Sequence, residues 1–180
     1  MSVGALIHRL AIGYGLTVLA VSAAAQPAPR ALETFQAVCA KDLGHEATAA
    51  AFAADGWQPA TAELSQFFTQ DIVDPDDARR FALKTGGATI LAAAMTERRG
   101  FIAKRNKTIC FVRVFVETPD QMRADFRTRM GNAPDTTTDS IEVRADVWAT
   151  LLGGRVVGFR AVNLPDGIWM VTISRMLADG

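Results

Sequence analysis

"NKTICFVRVFVET", residues 106–118, decides the fold class. Cys110, Val112, Val114 and Val116 alternate with Phe111, Arg113, Phe115 and Glu117. A period of two sends successive side chains to opposite faces, so the stretch predicts a β-strand with Cys110 in line with the valines. Upstream, "ATILAAAMTE" (88–97) predicts a partner strand, and "RRGFIAKRNK" (98–107) a hairpin connection between the two.

Beyond the strand the period changes. "TPDQMRADFRTRMG" (118–131) predicts a helix: Thr118 and Gln121 form a T-x-x-Q capping box, Pro119 suits the first position, and Gly131 is the stop. Met122, Phe126 and Met130 make its buried stripe, with Arg123, Arg127 and Arg129 off it. "NAPDTTTDS" (132–140) predicts a polar loop. A three-strand meander follows. Ile141, Val143, Ala145 and Val147 alternate with Glu142, Arg144, Asp146 and Trp148, and "GG" (153–154) and "PDG" (165–167) mark turns. "RVVGFRAVN" lies between those turns and "IWMVTISRM" after them.

The N-terminal half predicts helices. Residues 31–57 place Leu32, Phe35, Val38 and Cys39 on one face, with a break at Gly44, an alanine-rich continuation from Glu46 to Ala54, and a stop at Asp55-Gly56. "DIVDPDDARRFALKTGG" (71–87) predicts a further helix: Asp74 as N-cap, Pro75 at the first position, Asp76 and Asp77 at the positive end of the dipole, and Gly86-Gly87 at the end. These aspartates lack the D-x-D-x-D-G spacing of a calcium loop. The class expected is α+β: N-terminal helices packed on an antiparallel sheet of about five strands, with one helix inserted between the second and third. No internal repeat or second domain is visible.

The first residues, "MSVGALIHRLAIGYGLTVLAVSAAAQPAPRA", have the form of an export signal. A positive start at His8 and Arg9 leads into an uncharged apolar run, Leu10 to Val21, and then Ala23 and Ala25. The run is too short for a membrane span and is broken by Gly13 and Gly15. Cleavage after Ala25 makes 1–25 a signal peptide and 26–180 a single domain with no transmembrane segment, periplasmic or secreted. The 180 residues carry 19 basic and 19 acidic side chains, a balance that argues against a nucleic-acid binder.

Cys39 and Cys110 are the only cysteines. In an oxidising compartment an even pair on two apolar faces predicts a disulfide that clamps the first helix to the sheet. The competing chemistry is a thiol enzyme with His45 as base, but no cysteine-enzyme signature surrounds either thiol. Metal-ligand spacings, a G-x-S-x-G elbow and glycine-rich phosphate or dinucleotide loops do not occur, so no catalytic residue, metal or cofactor is assigned.

Charge is segregated along the chain. Residues 26–97 hold 5 basic and 10 acidic side chains, whereas residues 98–129 hold 9 and 3. Arg98, Arg99, Lys104, Arg105, Lys107, Arg123 and Arg127 are therefore the candidate binding set, a basic patch suited to an acidic protein or an anionic envelope component. Trp148, on the polar side of its strand, is expected to pack beneath a covering helix. The function expected is an exported, disulfide-stapled binding or accessory protein of the cell envelope rather than an enzyme. The alternative is a hydrolase or thiol enzyme whose site is assembled from dispersed residues.

Overall fold

Among the described residues, eight antiparallel strands form one sheet in the order β1-β2-β3-β4-β8-β7-β6-β5. The computed structural model describes residues 27–41, 43–68, 78–85, 88–98, 106–149 and 155–176. The signal-like leader lies outside these residues. In chain order the elements are α1 (Pro27–Thr34) with a π-helical turn (Phe35–Cys39), α2 (His45–Ala54), β1 (Gln58–Pro59), α3 (Ala62–Ser65) with a 3-10 turn (Gln66–Phe68), β2 (Arg79–Thr85), β3 (Ala88–Arg98) and β4 (Asn106–Val116). Then come α4 (Asp120–Met130), β5 (Thr136–Asp139), β6 (Val143–Trp148), β7 (Val157–Asn163) and β8 (Trp169–Met176). The class is α+β, with eight strands rather than about five, and α4 falls between the fourth and fifth.

Three differences from the expected layout have physical reasons. Residues 79–85 are strand, not helix: Phe81 is buried against the helix layer, and pairing with β3 from Arg79↔Ala94 to Thr85↔Ala88 supplies the backbone bonds. The Asp74 cap lies outside the described residues. The polar stretch at 136–139 is the edge strand β5, paired on β6 through Thr136↔Val147 and Asp139↔Arg144. All four of its residues are exposed, so no apolar alternation marks it. The capping box at α4 is not formed, because Gln121 donates forward to Asp125 (2.8 Å) rather than back to the helix start. The stop is where expected: Gly131 closes the helix in the left-handed region at φ 75°.

The strand order reads the same in reverse when β1 is exchanged with β5, β2 with β6, β3 with β7 and β4 with β8. Each set is preceded by a helix, α2 before the first and α4 before the second. The topology is thus two-fold symmetric about the β4–β8 contact, although the two halves share no visible sequence motif. α1 and its π-helical turn lie over that contact, packing on β4 and β8.

α1, α2 and α4 cover one face, where the main core sits. Ala31, Leu32, Phe35, Val38 and Cys39 meet Cys110, Val112 and Val114 of β4 and Val171 and Ile173 of β8. Phe126 of α4 is edge-on to Phe35 and to Trp148, with ring centres 5.5 and 5.4 Å apart. Trp148 is fully buried beneath α4, as expected, and its Nε1 donates to the carbonyl of Asn132 (2.9 Å). A smaller cluster of Phe68, Leu91, Ala93 and Phe111 lies on the opposite face, under α3 and its 3-10 turn.

Candidate functional site

Two anchors and one open face define what the molecule offers. The first anchor is covalent. Cys39, in the turn that ends the first helix, is bonded to Cys110 at the centre of β4; both are fully buried, their Cα atoms 5.4 Å apart. Arg175 is the cross-strand neighbour of Cys110. It lies buried under that helix end and donates from Nη1 to the carbonyls of Ala40 and, at 3.4 Å, Cys39. A helix C-terminus has unpaired carbonyls and a negative dipole end, so a cation there closes the same joint the disulfide staples. The described residues contain no free cysteine. His45 sits in the first turn of α2, its Nε2 3.2 Å from the Ala94 carbonyl and its Nδ1 3.3 Å from Glu46.

The second anchor is ionic. Asp146 of β6 points toward α4 and is fully buried. Arg123 and Arg127, one helical turn apart, each grip it with two bonds: Arg123 at 2.9 and 2.9 Å, Arg127 at 2.7 and 2.7 Å. Thr137 of β5 donates a fifth bond at 3.0 Å. Burial pushes the Asp146 carboxyl up, but the bonds from Arg127, Arg123 and Thr137 outweigh it and hold it well below the usual carboxylate range. Around this centre Asp139 reaches Arg123 at 3.4 Å and Arg144 at 3.7 Å, and Arg144 pairs with Asp120.

Two members of the expected basic patch are thereby placed. Arg123 is buried, and Arg127 turns inward to the same carboxylate. Arg99, Lys104 and Arg105 lie outside the described residues. Arg98 and Lys107 stand at the paired ends of β3 and β4, opposite Asn106 and Glu97, and their side chains too lie outside what the structure describes. The structure does not bring the seven together as one described surface.

The sheet face away from α1, α2 and α4 was not singled out from the sequence. On β6 the expected sidedness is inverted: Asp146 and Trp148 point into the helix-covered core, while Val143, Ala145 and Val147 are half-buried on the outer side. Register aligns cross-strand rows there. Phe115, Met170, Val162 and Val143 form one row, and Arg113, Thr172, Arg160, Ala145 and Thr138 form the next. Toward β3 the outer face holds a cavity of about 270 Å³ lined by Leu64, Phe67, Ala88, Thr89, Leu91 and Phe115. Its wall is braced from within: buried Arg113 donates to the Phe67 carbonyl and to the Thr172 hydroxyl (2.8 Å). Phe67 is 39% exposed and lies edge-on to Phe115, 5.5 Å between ring centres.

Among the described residues no group of three histidine, cysteine or acidic side chains is arranged to hold a metal ion, and no helix is long and apolar enough to cross a membrane. Comparison with known proteins finds no matching family model, no similar curated protein and no similar solved structure. The functional reading therefore rests on this chain's own geometry.

Proposed function

We propose that the protein is an exported, disulfide-stapled binding or accessory module of the cell envelope, periplasmic or secreted, that acts by holding an anionic partner rather than by catalysis. The observation that carries this reading is the buried Cys39–Cys110 bond, which ties the helix layer to the central strand β4 across 71 positions. Such a bond belongs to an oxidising compartment, and the signal-like leader supports the same destination. The bond occupies both sulfurs that a thiol mechanism would need.

The test is the intact mass of the protein recovered from the envelope fraction, alkylated with and without reduction. The expected species begins at Gln26 and takes up alkyl groups only after reduction. A retained leader, or two thiols alkylated without reduction, would overturn the reading and make Cys39, Cys110 and His45 the first residues to test for chemistry.

A further inference from the structure

We propose that the outer face of the sheet is a binding site for a single-chain anionic amphiphile, a free long-chain fatty acid, with its carboxylate on Arg160 and its tail in the Leu64–Phe67–Leu91–Phe115 cavity. The inference rests on the binding-module reading above and gives that module its ligand class. It starts from how the strands distribute charge. The carboxylates within β5 and β6, Asp139 and Asp146, both face the helices. Within 79–85, 88–94, 109–116, 136–139, 143–148, 157–163 and 169–176, the outward set contains no carboxylate, while Arg80, Lys84, Arg113 and Arg160 all point outward. Outward-phase Glu97, opposite Lys107, and Glu63 of α3 lie toward the β3 side. The part of the face with a cation and no anion is therefore the β5–β8 half, where Arg160 attracts a negative group and a dimer through this surface would set it against like charge.

Arg160 is the cation available on the β5–β8 half. It is exposed, and among the described residues it has no hydrogen-bond or ion-pair partner. Its surroundings are apolar or hydroxylic: Val162 and Gly158 on its own strand, Thr172 and Ala145 across from it, and Met170 and Val143 in the adjoining row. An exposed guanidinium flanked by a hydroxyl and set among apolar side chains suits a carboxylate head.

The distance to the cavity sets the length of the ligand. Arg160 lies two strands and one outward-facing row from Phe115, which places their Cα atoms about 12 Å apart. A chain of about ten carbons bridges that interval, and the carbons beyond it continue past Met170 and Phe115 into the cavity. The cavity lining is Leu64, Phe67, Ala88, Leu91 and Phe115 with Thr89 as its hydroxyl. That suits a hydrocarbon end, and the volume, small beside a drug-sized pocket, suits one chain and not two.

The experiment is titration calorimetry on the oxidised protein with octanoate, decanoate, dodecanoate, dodecanol and dodecyltrimethylammonium. Dodecanoate is expected to bind and octanoate to bind far more weakly, with each methylene between them tightening binding by up to about fourfold. Arg160→Glu should weaken dodecanoate at least about tenfold while leaving dodecanol unchanged. Ala88→Leu, which fills the cavity, should remove the chain-length dependence. No heat with dodecanoate, equal binding of dodecyltrimethylammonium, or undiminished binding by Arg160→Glu would each overturn the proposal. The wild-type arms decide even if a variant fails to fold. Failure here in a protein that starts at Gln26 with its staple intact would remove the ligand and leave the envelope-module reading standing.

Discussion

The two halves of the sheet are fixed to the same helix layer by different chemistry. In the first half the joint is a covalent bond set in apolar side chains: Cys39–Cys110, with Phe52 of α2 resting on Phe81 of β2 at 5.3 Å and on Trp57 at 5.5 Å. In the second it is a buried carboxylate held by two guanidinium groups from α4. The topology is symmetric and the anchoring is not. A helix can be held on a sheet by apolar contact plus a staple, which is indifferent to pH and sensitive to reductant. It can equally be held by a satisfied ion cluster, which has the opposite sensitivities. The strand carrying the cluster gives inward positions to Arg144 and Asp146 beside Trp148, and its aliphatic residues Val143, Ala145 and Val147 then fall on the outer face.

Breaking the first joint should have the largest effect. Replacing both Cys39 and Cys110 with alanine frees a loop of 71 positions, for which chain entropy gives about 4 kcal/mol of lost stability. Urea unfolding should show that loss as a lower midpoint at both pH 7 and pH 3. A loss under 1 kcal/mol would mean that the apolar contacts hold the first half without the staple.

Breaking the second joint should cost somewhat less and should depend on pH. Asp146→Asn removes the carboxylate that both arginines grip and leaves only Asp139, 3.4 Å from Arg123, to offset them, at about 3 kcal/mol near neutrality. The sign follows from the depressed carboxyl. The ionised cluster contributes its full stability above the ordinary aspartate range near 4, and that contribution is lost as pH falls toward the lowered folded value. Wild type should therefore weaken on acidification from pH 5 to pH 2, and the Asn variant should lose less over the same interval. Parallel curves for the two proteins would show that the cluster does not set the acid response.

These joints differed in how far the sequence disclosed them. The staple was legible because two cysteines in a chain with an export-like start leave one pairing, and β4 alternates cleanly enough to put Cys110 on the buried side. The Asp146 cluster was not. Arg123 and Arg127 look solvated on a helical wheel, and Asp146 sits in an alternating strand whose apolar set invites burial instead. Only the register of β6 on β7, Asp146↔Phe159 and Trp148↔Val157, decides which set faces the helices. Trp148 was the available signal, since a tryptophan in phase with Asp146 argues that the polar phase is inward. β2 was lost to a different competition: the capping pattern around Asp74 is strong locally, but pairing on β3 overrides helix propensity in residues 79–85.

The smallest expected effect separates the helix that carries the cluster from the cluster itself. Gly131 ends α4 at φ 75°, and a Cβ built there would meet nothing within 4 Å. The cost of Gly131→Ala is therefore backbone strain alone, about 1 kcal/mol, with Gly131→Asn costing less because asparagine tolerates the left-handed region better. Neither change touches a titrating group, so both should lower the urea midpoint equally at pH 7 and pH 3. If Gly131→Ala instead flattened the acid response as Asp146→Asn does, the last turn of α4 would be what positions Arg127. The second joint would then be a property of the helix end as much as of the buried carboxylate.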